Sequence, residues 1–236
     1  MKRIVILTGA GISRESGLDT FRDAGGIWSQ VSLEDVCTPE GFARNPEMVD
    51  EFYNRRRQEL TQVVSNDAHR ALVELENAYA SNDDDAFLLV TQNTDDLHER
   101  AGSRNVLHMH GELLRLRCMN CSATPEWKAD CTRATACPEC GQRSLRPDVV
   151  WFGEMPLHMD RILLALERCD MFVAIGTSAT VYPAAGFVDQ VSGHACTVEL
   201  NLVPSGNAGD FDEGAYGPAT TVVPRFVSRE LGSLLS

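Results

Sequence analysis

The chain has little of what a membrane-spanning or exported protein needs. No apolar run in its 236 residues approaches the ~20 that cross a bilayer. Met1-Lys2-Arg3 leads directly into Ile4-Val5-Ile6-Leu7-Thr8, too short for the apolar core of a signal sequence and followed by Gly-Ala-Gly, not a cleavage site. A cytoplasmic location is the expectation. Basic residues are also scarce: 21 Lys and Arg stand against 34 Asp and Glu, a net charge of −13. That balance weighs against a nucleic-acid groove and would attract a basic protein or peptide, although such charge is usually only a solvated surface. Repeats and low-complexity tracts are absent. What remains, 43% hydrophobic and 23% charged residues, is the composition of an ordinary globular protein, long enough for one sizeable core and a satellite module.

Cysteine is not scarce, and half of it is patterned. Cys118-x-x-Cys121, fifteen residues and Cys137-x-x-Cys140 have the spacing of a zinc ribbon. A two-residue gap lets one tight turn present two thiolates to the same ion, and two such turns complete a tetrahedral structural site. Cys37, Cys131, Cys169 and Cys196 show no pairing logic and fit a compartment that keeps thiols reduced. Cys131 lies inside the ribbon and is the spare thiol that could compete for the metal.

Short apolar runs at 4–7, 87–90, 171–175 and 197–200 read as buried parallel strands. Apolar residues at three- and four-residue spacing predict helices over 48–60, 68–79, 157–169, 184–191 and 224–235, several of them starting at or just after proline. Strands alternating with helices imply an α/β fold with a doubly wound, parallel, Rossmann-like sheet. The expected division assigns 1–36, 81–112 and 149–236 to that sheet domain. A helical module, 37–80, and the zinc ribbon, 113–148, would be insertions forming a small second domain.

Gly9-Ala10-Gly11 follows the first strand, where a dinucleotide fold places its phosphate-binding turn. Arg14 stands where the usual fingerprint has its third glycine, so an ordinary dehydrogenase fits poorly. The next stretch, Ser16-Gly17-Leu18-Asp19-Thr20-Phe21-Arg22-Asp23-Ala24-Gly25-Gly26, is rich in turn formers and reads as a loop able to close over a cofactor or as a plain surface loop. Thr91-Gln92-Asn93-Thr94-Asp95-Asp96 comes straight after a strand, at the carboxyl edge where open sheets bind ligands. Its amides and carboxylates could fix a ribose or carboxamide, or equally cap the following helix. Strand alternation puts His108 and His110 on one face. Either imidazole could be a general base, and the adjacent Gly111 favours His110 by leaving room for a ligand. Gly176-Thr177-Ser178 and Asn201 offer small or hydrogen-bonding groups at two more carboxyl edges, suited to ribose and adenine.

In order along the chain, Gly9-Ala10-Gly11-Ile12-Ser13, Ser16-Gly17-Leu18, Phe21-Arg22, Thr91-Gln92-Asn93-Thr94-Asp95, His110-Gly111, the four cysteines, Val150-Trp151-Phe152-Gly153-Glu154, Gly176-Thr177-Ser178 and Glu199-Leu200-Asn201 resemble the sirtuins, NAD-dependent protein-lysine deacylases. The resemblance covers nearly the whole chain. Thr94 and Asp96 depart mildly from the family's commonest string, which has isoleucine and then asparagine or glycine there; Gln92, Asn93 and Asp95 are intact. By this resemblance NAD is consumed as an electrophile, the acyl oxygen of an acylated lysine attacks its nicotinamide ribose, and nicotinamide and O-acyl-ADP-ribose are released. Asn93 and Asp95 would grip and help expel nicotinamide, and His110 would be the general base. Phe21 would shield the ribose from water and Arg22 would orient phosphate or ribose. Gly9, Ala10, Gly11, Ser13, Gln92, Thr94, Gly176, Thr177, Ser178, Asn201 and Ala219 would complete the NAD contacts. Val150, Phe152 and Gly153 would pair with the substrate peptide as an added strand, and the zinc would be structural.

Tyr53 and Arg56, three apart on the 48–60 helix, share a face. The run Arg55-Arg56-Arg57 by itself looks like a solvated basic surface. Sirtuins that remove succinyl or malonyl groups carry a Tyr-x-x-Arg pair at the corresponding place, and a guanidinium with a phenol can bind a distal carboxylate. The resemblance therefore implies a deacylase acting on acetyl and on succinyl or malonyl lysine. An NAD-dependent dehydrogenase, or a zinc-stabilised module that binds ADP-ribose or acyl-lysine without turnover, are the alternatives.

Overall fold

The glycine-bounded apolar run near the start of the chain becomes the central strand, β1 (Ile4–Thr8), buried along its whole length. In the computed structural model, which describes residues 2–18, 32–80 and 86–234, it is followed by two 3-10 turns, Ala10–Ile12 and Arg14–Ser16. Four helices come next: α1 (Leu33–Val36), α2 (Pro39–Arg44), α3 (Pro46–Leu60) and α4 (Asp67–Ala80). Then come β2 (Phe87–Thr91), α5 (Leu97–Ala101), β3 (Val106–His108), β4 (Gly111–Cys118) and β5 (Leu145–Val149). The chain closes with α6 (Met159–Arg168), β6 (Met171–Ile175), α7 (Phe187–Val191), β7 (Cys196–Asn201), β8 (Glu213–Tyr216) and α8 (Ala219–Leu234).

Among the described residues, six strands form one parallel sheet in the order β3-β2-β1-β6-β7-β8. Alternation along β1 feeds two cores. Ile4 and Ile6 pack with Leu72, Leu75 and Phe226, so α4 and α8 cover that face. Val5 and Leu7 pack with Ile162, Leu166 and Phe187, so α6 and α7 cover the other. Each such aliphatic side chain contributes about 1.5–3 kcal/mol on burial, which explains why these strands read as continuous apolar runs. This is the doubly wound α/β sheet that the strand and helix pattern implies.

Two stretches stand outside it. Helices α1 to α3 share a third core, with Val36, Val49, Phe52 and Tyr53 against Leu113 and Trp151. β4 and β5 pair antiparallel and close a small ribbon core of Leu116, Cys118, Cys131, Cys137 and Leu145. The ribbon docks on α3 through Asn54, whose side chain takes both the carbonyl and the amide of Cys131 (2.9 and 2.8 Å), and through a two-pronged ion pair of Arg133 with Asp50.

Three sequence expectations need correction. The last helix starts at Ala219, with Pro224 inside it. The one bond the proline omits would go to Thr220, close to the helix start, and the Thr220 amide and hydroxyl are both held by Glu15 (2.9 and 2.8 Å). The 184–191 segment is a 3-10 turn running into α7. His108 and His110 do not share a strand face, because β3 ends at His108 and His110 lies in the turn before β4.

Candidate active site

The site opens where the sheet reverses its winding, between β1 and β6, the place where open parallel sheets bind ligands. The Gly9 amide bonds to the Ile175 carbonyl (2.9 Å) and the Gly11 amide to the Gly176 carbonyl (2.8 Å), so the two strand ends are tied together just past the sheet. That approach needs glycine. A Cβ on Gly11 would lie 2.7 Å from the Gly176 Cα, and Gly176 itself has φ of 60°. Gln92 Nε2 donates to Thr177 Oγ1 (3.0 Å) and Asn201 Nδ2 to the Thr177 carbonyl (2.7 Å), which joins the ends of β2, β6 and β7.

Behind the turn lies a buried polar cluster. Asn93 Nδ2 donates to the Gly9 carbonyl (3.2 Å) and lies 3.3 Å from Ser13 Oγ, while Ser13 Oγ donates to Asp95 Oδ2 (3.1 Å). The other Asp95 oxygen accepts the Leu97 amide (3.2 Å). Burial raises the Asp95 pKa, and these two donors only partly offset it. The polar segment therefore does both things its sequence allowed, capping α5 and facing the cleft.

The two histidines are told apart by what faces their nitrogens. His108 Nδ1 meets the Asn93 carbonyl (3.0 Å) and its Nε2 meets Glu99 Oε1 (2.8 Å). Both partners only accept, so each nitrogen faces a group to which a protonated ring would donate. Burial alone would lower its pKa, but the Glu99 hydrogen bond and charge outweigh that and raise it. His110 Nδ1 meets the Gln92 carbonyl (3.0 Å), which fixes the proton there and leaves Nε2 with its lone pair. Burial lowers its pKa, so the ring is neutral near pH 7.

Tyr53 and Arg56 reach the same cleft from α3. Tyr53 is 4% exposed, and its hydroxyl accepts from Trp151 Nε1 (2.9 Å) and lies 3.7 Å from Cys37 Sγ. Arg56 is paired with Glu59 (2.9 Å). Val150 and Phe152 already donate their amides, to the His110 and Cys37 carbonyls (both 2.9 Å), so a peptide strand beside them must use their carbonyls. Phe152 is 51% exposed.

One cavity of about 1110 Å³ collects these groups, large enough for a dinucleotide and an acylated side chain together. It is lined by the glycine turn and Ser13, by residues 92–95, 150–153 and 176–178, and by His110, Asn201, Ala219, Tyr53 and Arg56. His108 is not among its lining residues. Phe21 and Arg22 lie outside the described residues. Trp151 and Cys37 also line it. Sequence reasoning gave neither a part: Trp151 stood only inside the 150–154 string, and Cys37 was a thiol without a partner.

The four patterned cysteines are elsewhere, with their sulfurs all within 4.8 Å of one another. Cys118 and Cys140 sulfurs are 3.7 Å apart and Cys121 and Cys137 sulfurs 3.8 Å. A tetrahedral ion with Zn–S bonds of about 2.3 Å sets its ligands about 3.8 Å apart, so the donor set and its spacing fit zinc. Four thiolates leave no open coordination position. Cys131 stays out of the cluster: it is buried, and its thiol faces the Thr132 carbonyl at 3.9 Å.

Residues 9–183 match the Sir2 family. A protein from Salmonella typhimurium named NAD-dependent protein deacylase is 56% identical over 236 residues, 98% of this chain and 85% of its own. The solved structure of a Sir2 homolog–NAD complex superposes with a TM-score of 0.88 at 39% identity, covering 100% of this chain and 91% of that one. The structure of Sir2Af2 bound to a myristoylated histone peptide superposes at 0.74 with 31% identity, covering 98% of this chain and 93% of that one. With the family match running over residues 9–183 and a relative more than half identical across nearly its whole length, this chain belongs to the Sir2 family.

Proposed function

We propose that this NAD-dependent protein-lysine deacylase removes acetyl groups and also succinyl or malonyl groups from lysine side chains, releasing nicotinamide and O-acyl-ADP-ribose. The observation that carries the reading is that Tyr53 and Arg56 line the same cavity as the glycine turn and the Asn93, Asp95 and His110 cluster. NAD, when bound, supplies an electrophilic ribose carbon and a leaving group. The chain's own residues do the rest. Gly9, Ala10, Gly11 and Ser13 hold the phosphates, with residues 176–178, Asn201 and Ala219 toward the adenosine end. Asn93, Asp95, Gln92 and Thr94 bind and orient the nicotinamide end, Asp95 working from a site where burial favours its neutral form. His110 takes a proton from a ribose hydroxyl at its bare Nε2. Val150, Phe152 and Gly153 receive the peptide as an added strand, and Arg56 with Tyr53 binds the distal carboxylate of a succinyl or malonyl chain. Zinc at Cys118, Cys121, Cys137 and Cys140 maintains the ribbon.

The partners are acylated proteins or peptides; a net charge of −13 argues against direct nucleic-acid binding. No described helix is long and apolar enough to cross a membrane. The four thiols outside the metal cluster, Cys37, Cys131, Cys169 and Cys196, are unpaired with one another and favour the cytoplasm.

Acetyl and succinyl forms of one peptide, each incubated with NAD and followed by nicotinamide release, test the reading. Arg56→Met should cut kcat/KM on the succinyl form roughly ten- to hundredfold, the worth of a charge-assisted hydrogen bond, and far less on the acetyl form. Parallel loss on both would make Arg56 a residue of the fold.

A further inference from the structure

Tyr53 is held by its neighbours in one hydrogen-bonding sense. An indole N–H donates and never accepts, so the 2.9 Å contact from Trp151 Nε1 occupies the acceptor side of the phenol oxygen. What the phenol can still offer is its proton. Inside the protein the partner on that side is Cys37 Sγ at 3.7 Å, a weak acceptor. All three side chains are buried and line the cavity beside Arg56. Trp151 is itself fixed from behind, with the Arg146 guanidinium 3.5 Å over its ring and Phe42 packed at 5.2 Å, so the indole has little freedom to swing away. Burial keeps the Tyr53 hydroxyl well above the ordinary phenol range, so its proton is retained at any working pH.

We propose that Trp151 is a specificity-determining residue acting through Tyr53: by occupying the phenol oxygen it makes Tyr53 an obligate donor. The acyl subsite then favours chains ending in an acceptor, a carboxylate above all. The Cys37 sulfur holds the proton's place until such a carboxylate displaces it. This rests on the reading of Tyr53 and Arg56 as the acyl subsite. It adds a separate claim, that the subsite's polarity is set by a residue that need not touch the carboxylate. Without the indole the phenol could rotate its proton away, or accept from a ligand as readily as donate.

The test compares succinyl and butyryl forms of one peptide, equal in chain length and different in the carboxylate. Trp151→Phe keeps an aromatic ring and removes the donor. It should lower the succinyl-to-butyryl ratio of kcat/KM roughly three- to tenfold, the share of one neutral hydrogen bond. In a Tyr53→Phe background the same change should lower the ratio no further, since there is no phenol left to orient. Cys37→Ala should keep or raise the ratio, because it removes the competing acceptor. An equal drop from Trp151→Phe with and without the phenol overturns the proposal, as does an unchanged ratio or a parallel fall on both peptides. A tenfold fall in the ratio from Cys37→Ala does so independently if the tryptophan variant does not fold. A wild-type enzyme with no turnover of the succinyl form sinks the acyl-subsite reading itself, and does so before any Trp151 variant is made.

Discussion

His108 and His110 are separated by Met109 alone, yet backbone carbonyls and one carboxylate surround them differently. His108, facing an acceptor at each nitrogen, bridges the Asn93 carbonyl and Glu99. His110, with only Nδ1 engaged, keeps a lone pair at Nε2. His110→Ala should leave NAD binding largely intact, as calorimetry would show, and reduce turnover by about 10²-fold or more. His108→Ala, loosening a loop instead of removing a base, should cost much less. Because burial lowers the His110 pKa from 6.5, the base stays deprotonated down through that value. The acid limb of the kcat/KM profile should therefore fall below pH 6.5, and a midpoint above it would contradict the assignment. The sequence preferred His110 through Gly111, and placed both imidazoles on one face by alternation. Alternation assumed a continuous strand, and the turn at 109–110 is invisible to it. What decides between the two rings is a pair of carbonyls and Glu99, and no residue pattern announces which nitrogen a carbonyl will face.

Helix α3 serves two masters along two stripes. Tyr53 and Arg56 turn to the cleft, while Asp50, Asn54 and Arg57 turn to the ribbon. Burial raises the Asp50 pKa even with Arg133 beside it, the mark of a pair that specifies a contact more than it stabilises one. Removing one partner is different. Asp50→Ala strands the Arg133 charge and should cost about 3 kcal/mol in denaturant unfolding, with faster proteolysis of the ribbon. A change under about 0.5 kcal/mol would show that the ribbon is held by its own core. The helix itself was legible from its apolar spacing. Its docking was not, because Asp50 and Arg133 are 83 positions apart and each looks like an ordinary surface charge. Buried strands were legible for the same reason as α3, since both sheet faces demand apolar residues. β8 was not: its four residues are all exposed and carry no apolar period. Trp151 and Tyr53, 98 positions apart, could be joined only by the fold.

At the scale of the molecule the ribbon is a small core that a metal must complete, with Leu116 and Leu145 as its only fully buried aliphatics among the described residues of that cluster. Elemental analysis should find one zinc per chain, and chelation should unfold the ribbon and abolish activity together, since α3 leans on it. A chelated protein that stays folded but inactive until zinc returns would instead give the metal a catalytic part. The order of the sheet has a consequence for how the chain is made. β1 precedes both of its neighbours along the chain, and one of its edges can pair with β2 once Phe87–Thr91 exists. Its other edge waits for β6, at 171–175, after helices α1 to α3 and the cysteine ribbon have been synthesised. Until then this fully buried strand shows an open edge, and a chain cut short before residue 171 would carry that edge permanently, a template for aggregation rather than a smaller enzyme.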